Sequence, residues 1–135
     1  MSTKPGDRLP WILVTGDVIV LGIVTLFGFA SHGELGSAGP RLLTTFVPLL
    51  AGWFAAGPVL GAYRPEYALQ VSELWRPAWA MILAAPLAAW LRSLWLGTAV
   101  VPVFVAVLGG VALTALLAWR LIFLVLWSRR TAVHG

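Results

Sequence analysis

Cysteine is absent from this 135-residue chain, and charged residues are scarce. Without cysteine the protein has no disulfide framework, no thiol redox chemistry and no cysteine-ligated metal site. Only 10% of the residues are charged, against roughly 25% in soluble domains. The chain has only two histidines, far apart in the sequence, and five acids, so we expect no metal site. The shortage of charge argues against an ordinary soluble domain.

Long hydrophobic runs take up most of the chain instead. Apolar residues make up 60% of it, and four apolar stretches each approach or exceed the roughly 20 residues that a membrane-spanning helix needs. These stretches cover residues 10–30, 42–62, 77–96 and 100–127. The sequence therefore predicts an all-α integral membrane protein, an antiparallel four-helix transmembrane bundle, with residues 1–135 as a single membrane domain. The first stretch is longer than a typical signal-peptide core and carries Asp17, so we interpret it as a retained helix.

The basic residues outside the apolar stretches are concentrated in alternate connections along the chain. Most of them fall before the first stretch, between the second and third, and after the fourth: Lys4, Arg8, Arg64, Arg76, Arg129 and Arg130. The positive-inside rule then predicts a multi-pass protein of the inner (plasma) membrane with both termini in the cytoplasm. The net charge of +4 is typical of attraction to anionic lipid. A nucleic-acid partner would require a cluster of basic residues on a soluble face. The sequence contains no such cluster, so we expect no nucleic-acid partner.

Three ionisable residues lie within the apolar stretches: Asp17, Arg92 and Arg120. A charge at the bilayer centre costs about 2.5–3.5 kcal/mol, so partners are expected. Counted at 1.5 Å per residue from the cytoplasmic side, Asp17 and Arg120 reach similar depths on helices that run in opposite directions. We predict an inner pair of Asp17 with Arg120. We also predict an outer cluster of Arg92 with Glu34 or His32.

Other interpretations of these charges stay open. Arg92 and Arg120 could extend to the headgroups instead of the bundle interior, whereas the short side chain of Asp17 could not reach as far. Asp17 suits either a functional role or a structural ion pair. The sequence contains no nucleophile–base triad, phosphate-binding loop or haem-attachment motif, so we assign no catalytic residue and no cofactor and expect the protein not to be an enzyme.

Small residues indicate where helices approach each other closely. On the third stretch, Arg92 shares a face with Ala85 and Ala88, whereas Trp79 and Trp90 point the opposite way, because positions 3, 4 and 7 apart share a helix face. Small residues suit helix–helix contacts in membranes. We therefore expect packing at six positions: Gly28, Gly57, Gly61, Ala85, Ala88 and Gly109. The polar segment 63–76 is either a solvated connector or, after Pro65, a short surface helix.

Several short motifs follow one another along the chain. They are Gly16-Asp17, Ser31-His32-Gly33, Pro48-x4-Trp53, Trp90-Leu91-Arg92, Pro102-x-Phe104-Val105 and Trp119-Arg120. In this order and spacing, from about Asp17 to Arg120, they resemble the family of small prokaryotic membrane proteins called domain of unknown function 3054. The resemblance implies four membrane helices and a bacterial or archaeal type of protein, and it implies no activity. It places Asp17, His32, Arg92 and Arg120 at matching motif positions.

Two classes of function fit these observations. The first is an accessory or structural subunit that packs against a larger membrane complex or binds a lipophilic ligand. The alternative is a small oligomeric transporter or channel that uses Asp17 and the membrane arginines. The expected partners are membrane lipids, together with other membrane proteins or further copies of the same chain. Polarity at the bundle centre separates the two classes, because a transporter needs a path that water can wet.

Overall fold

The computed structural model describes residues 5–31, 33, 36 and 39–133. Its helices, in chain order, are α1 (Pro5–Ser31), α2 (Gly39–Val59), α3 (Pro65–Ala68), α4 (Trp75–Leu96) and α5 (Pro102–Val133), with a 3-10 turn at Val71–Glu73 before α4. The part of the chain that the structure describes is helical and contains no strand. Four of the helices, α1, α2, α4 and α5, are long and apolar enough to span a membrane. The predicted all-helical membrane fold is confirmed at this level.

The helices begin and end at different residues from those predicted. The first helix begins at Pro5 and the last continues to Val133, because their polar ends extend the helices beyond the apolar runs used to predict them. The last helix begins at Pro102, two residues later than predicted, since proline favours the first turn of a helix, where its missing N–H has no partner to lose.

The second helix ends earlier than predicted, at Val59 instead of residue 62. Gly61 adopts a left-handed backbone with φ 77°. The N–H of Gly61 donates to the carbonyl of Pro58, and the N–H of Ala62 donates to the carbonyl of Gly57, which together form a Schellman motif. Gly61 therefore terminates α2, and it lies outside that helix, where a Cβ would come within 3.0 Å of the Tyr67 ring of α3. This turn directs Ala62 and Tyr63 back under the bundle.

The four long helices contact one another in a ring. Helix α2 packs on α4, α4 on α5, α5 on α1, and α1 on α2. Helices α4 and α5 are neighbours, as the short connection after Leu96 predicts. That connection starts at Gly97, which has a φ of 65° and so ends α4 with the left-handed residue that glycine supplies most easily.

Small side chains bring α2, α4 and α5 together. The buried face of α4 is a stripe that includes Ala84, Ala85 and Ala88. A Cβ on Gly52 would overlap the carbonyl oxygen of Ala84, and a Cβ on Gly109 would overlap the Cβ of Ala85. The predicted packing roles of Ala85, Ala88 and Gly109 therefore agree with the observed contacts, whereas the importance of Gly52 was not predicted.

The other two glycines of the predicted packing set behave differently. Gly57 is buried, and a Cβ there would make ordinary contacts with the rings of Trp53 and Tyr63. Gly28 faces open space, because a Cβ there would meet nothing within 4 Å. The expected packing role of Gly28 is therefore wrong within the described structure. Its position on the Asp17 face of α1 does not bring a neighbouring helix near it.

A short folded segment joins α2 to α4. It contains α3 and the 3-10 turn, so the short-helix alternative after Pro65 is the one that the structure contains. Arg76 holds this segment in place: its Nη1 donates to the carbonyl of Leu60 at 3.0 Å and its Nε to Glu73 at 2.6 Å. The guanidinium also lies 3.5 Å from the centre of the Tyr67 ring, a favourable cation–π geometry.

Candidate functional site

Asp17 and Arg120 form a buried ion pair between α1 and α5. Arg120 Nη2 donates to Asp17 Oδ2 at 2.7 Å, and Arg120 Nε donates to Oδ1 at 3.2 Å. The side chains are 0% and 3% exposed, respectively. This is the pair that we predicted from matching depths. Its burial shows that Arg120 lies inside the bundle and does not extend to the headgroups.

Two further donors complete the coordination of the carboxylate. Trp119 Nε1 donates to Asp17 Oδ1 at 3.0 Å, and the Tyr63 hydroxyl donates to Oδ2 at 2.6 Å. Asp17 thus accepts four hydrogen bonds, and an ionised carboxylate offers about four lone-pair sites. The acid is saturated by the protein's own donors.

A second layer supports the pair from below. Trp53 Nε1 donates to the Tyr63 hydroxyl oxygen at 2.7 Å, and Arg120 Nη1 donates to the carbonyl of Ala62 at 2.8 Å. Burial, followed by the negative charge of Asp17, raises the pKa of Tyr63 above its ordinary value. The hydroxyl therefore stays protonated and remains a donor to Asp17. We call these six residues, Asp17, Trp53, Ala62, Tyr63, Trp119 and Arg120, the polar network.

The local sequence explains why these side chains meet. Trp119 lies across α1 because its neighbour there is Gly16, where a Cβ would overlap the indole ring. Adjacent residues in two motifs therefore act together: Gly16 admits the ring that hydrogen-bonds Asp17, and Trp119 precedes the arginine of the ion pair. The Schellman motif at the end of α2 supplies Ala62 and Tyr63.

Residues 14–123 of the chain match the family described as protein of unknown function (DUF3054). The chain belongs to this family. The matched region includes all six short motifs in full, so the resemblance is confirmed. No curated protein and no solved structure matches the chain. Family membership supports an uncharacterised membrane protein, and the polar network lies entirely within the matched residues.

The second predicted cluster is centred on Arg92, near the other end of α4. Its guanidinium carbon lies 4.9 Å from the centre of the Phe104 ring. The Nε atom is buried and has no hydrogen-bond partner among the residues that the structure describes. The expected partners, His32 and Glu34, lie outside the described residues. Arg92 is therefore placed against an aromatic ring of α5, and it is not part of the polar network.

A small cavity adjoins the polar network on the side of the α2–α4 connection. It has a volume of about 10 Å³, which is room for roughly one water. Arg120, Gln70, Glu73 and Arg76 contribute to its lining. The cavity lies between Arg120 and the folded connection.

Four members of the polar network were not predicted as site residues: Trp53, Ala62, Tyr63 and Trp119. Trp53 and Trp119 are part of the short motifs, which was a usable signal. The indole N–H of a buried tryptophan needs a hydrogen-bond acceptor, and Trp119 stands beside an arginine that needs a partner too. Tyr63 carried no local signal, since it contacts Asp17 from 46 positions away. Within the described residues, no three potential ligands form a metal-binding group.

Proposed function

We propose that this protein is an accessory or structural subunit of a larger complex in the plasma membrane, and that it has no catalytic activity of its own. The observation that carries the proposal is the saturated polar network. The carboxylate of Asp17 is fully buried and accepts four hydrogen bonds from the protein. Such an acid has no free site for a substrate, an ion or a transferred proton, and it is well suited to fixing α1 against α5.

The outer face of α4 supports a role in packing against another protein. Three large apolar side chains on this face, Trp79, Leu83 and Trp90, are each more than half exposed. They lie opposite the buried alanine stripe, so the bundle itself does not use them. Tryptophan is enriched where protein surfaces dock. We propose that this face contacts the partner subunit.

We further propose an antiparallel bundle with both termini in the cytoplasm. Contacts along α1 and α5 support the antiparallel arrangement: Leu9 and Leu13 cluster with Phe123, whereas Gly16, later in α1, meets Trp119, which is earlier in α5. The distribution of basic residues supports the orientation.

Extraction of the protein from its native membrane in mild detergent, followed by mass spectrometry of the intact assembly, tests the accessory role. We expect a stoichiometric membrane partner that is lost in a Trp79→Ala/Trp90→Ala variant and kept in a Trp11→Ala control. Trp11 is also an exposed tryptophan, on α1. A homo-oligomer without any partner or bound lipophilic molecule would contradict the proposal.

The second candidate is a small oligomeric transporter or channel. One observation favours it: the partly buried Arg92, whose Nε has no hydrogen-bond partner among the described residues, is a cation that suits an anionic substrate. Flux into proteoliposomes of the wild type, Arg92→Gln and Asp17→Asn tests it. Flux that depends on Arg92 and persists in a folded Asp17→Asn variant would support anion transport, and absence of flux in the wild type would remove this candidate.

A further inference from the structure

Two adjoining apolar grooves lie on the outer side of the junction between α1 and α5. The first has a volume of about 630 Å³ and the second about 200 Å³. Trp11 and Ile19 line the first groove, whereas Phe123 and Leu126 line the second. Both share Trp119 as a wall. The two grooves therefore lie side by side on one surface and are separated by the Trp119 ring.

The polar network shapes the first, larger groove. Trp119 turns its indole N–H towards Asp17, so its ring lies against α1 and does not project outward to fill the junction. Gly16 lines the same groove and has no side chain to occupy it. Trp11 and Ile19, on the rim, are 72% and 56% exposed. Two apolar grooves on the outer surface of a membrane bundle are accessible to lipid acyl chains.

Positive charge lies at one end of both grooves. Arg8 borders the first groove and Arg130 the second. Arg8 precedes Asp17 by nine residues and Arg130 follows Arg120 by ten, so at 1.5 Å per residue both lie about 14–15 Å from the ion pair, towards the same end of the bundle. Arg129 adds a further positive charge there, and Asp7 is the one acid among the described residues of these two helix ends.

We propose that this surface binds an anionic phospholipid of the bilayer. The phosphate lies between Arg8 and Arg130, whose guanidinium groups are suited to phosphate oxygens. The two acyl chains lie in the two grooves, separated by the ring of Trp119. A net negative headgroup is selected because the arginines outnumber the acid at this end, and basic sites beside membrane helices bind such headgroups. The site is on α1 and α5, so it does not depend on the proposed partner surface on α4.

Lipid retention measured by native mass spectrometry tests the proposal. The full chain is delipidated in detergent and titrated with phosphatidylglycerol or with phosphatidylcholine of the same acyl chains. We expect phosphatidylglycerol to bind about tenfold more tightly, a difference of roughly 1.4 kcal/mol. The variant Arg8→Gln/Arg130→Gln should bind the two lipids equally. The matched control Arg41→Gln/Arg64→Gln removes the same charge elsewhere and should keep the preference. Equal binding of both lipids by the wild type, or an equal loss in the two double variants, would overturn the proposal.

A second pair of variants tests the grooves without changing charge. Ile19→Trp fills the first groove from its rim, and Ile122→Trp makes the same substitution on α5. Ile19 and Ile122 are equally exposed, at 56%, and Ile122 does not line either groove. We expect Ile19→Trp to weaken phosphatidylglycerol binding about tenfold and Ile122→Trp to leave it unchanged. Equal binding by these two variants would show that the acyl chains do not occupy the groove. Circular dichroism and monodisperse elution verify that each variant is folded.

Discussion

At the scale of single residues, the buried pair of Asp17 and Arg120 depends on hydrogen bonds from its neighbours as well as on the attraction between the two charges. Taking two charges out of water costs several kcal/mol per ion, and only good geometry and further hydrogen bonds compensate for it. Here Trp119, Tyr63 and the carbonyl of Ala62 supply those bonds. The pair is therefore a joint that depends on all its neighbours.

Removing one member of this pair should destabilise the fold strongly. We expect Arg120→Met to cost about 3–5 kcal/mol, because it leaves an uncompensated charge on Asp17. The double variant Asp17→Leu/Arg120→Met should cost less than the two single changes together, since neither charge then remains. Unfolding by heat or by denaturing detergent in micelles measures this.

An exposed pair provides the control. Arg64 and Glu66 are 2.8 Å apart and more than half exposed, so Arg64→Met should change stability by less than about 1 kcal/mol. Equal losses for Arg64→Met and Arg120→Met would show that the buried pair has no special role.

The hydroxyl of Tyr63 should contribute to the stability of the fold separately from its aromatic ring. Tyr63→Phe removes a donor to Asp17 and leaves the buried N–H of Trp53 without its acceptor, so we expect a loss of about 1–3 kcal/mol. Tyr67→Phe is the matched control, because the Tyr67 hydroxyl makes no hydrogen bond to the described residues. Thermal unfolding of both variants in the same detergent measures the difference, and similar melting temperatures would contradict the assignment.

Stability should also fall at alkaline pH through Tyr63. Its pKa is raised in the folded protein, so above about pH 10, the ordinary tyrosine pKa, the unfolded chain loses the proton and the folded chain keeps it. The contribution of this hydroxyl is fully present below that pH and declines above it, by up to about 1.4 kcal/mol per pH unit. Unfolding measured from pH 8 to 11 should show the stability gap between wild type and Tyr63→Phe narrowing, whereas a constant gap would contradict the raised pKa.

At the scale of helices, glycines that look alike in the sequence have different roles. Gly52 allows α2 to touch the backbone of α4, Gly61 ends α2, and Gly28 faces open space. The difference arises from which helix lies opposite each position. Spacing along one helix does not report that.

Alanine substitution should separate these roles. Gly52→Ala places a Cβ 2.7 Å from the carbonyl oxygen of Ala84, and such overpacking costs typically 1–3 kcal/mol. Gly28→Ala and Gly110→Ala enter open space and should be neutral or stabilising by up to about 1 kcal/mol, since alanine favours helix over glycine. Melting temperatures in detergent distinguish the outcomes. A Gly52→Ala variant as stable as the two controls would mean that α2 and α4 pack less closely than described.

At the scale of the whole molecule, the ring of four helices leaves its connections at two ends, and the charge is unequal between them. The α2–α4 connection contains Arg64, and Arg76 follows it in the first turn of α4, whereas residues 97–101 between α4 and α5 contain no charge. The positive-inside rule predicts that the first connection is cytoplasmic.

Single cysteines test that orientation, because the natural chain has none. Ser72 and Thr98 are exposed residues of the two connections. We expect Thr98→Cys to react with a membrane-impermeant maleimide on intact cells and Ser72→Cys to react only after permeabilisation. Reversed labelling would invert the topology, and labelling of both from outside would indicate mixed orientation.

The sequence by itself determined the membrane class and four candidate spanning segments, and it predicted the pairing of Asp17 with Arg120. Each of these follows from composition or from counting along a helix, since burial in lipid demands apolar length and a buried charge demands a partner at the same depth. Motif order was also enough to identify the family, because order and spacing are properties of the chain itself.

Only the tertiary structure decided which residues complete the polar network and which glycines carry close contacts. Tyr63 reaches Asp17 because a Schellman motif turns the chain back beneath the bundle, and Trp119 reaches it because Gly16 leaves space on another helix. Both contacts join residues far apart in the sequence. Helical periodicity specifies the face on which a side chain lies. Which helix packs against that face is decided by the fit of all the helices together.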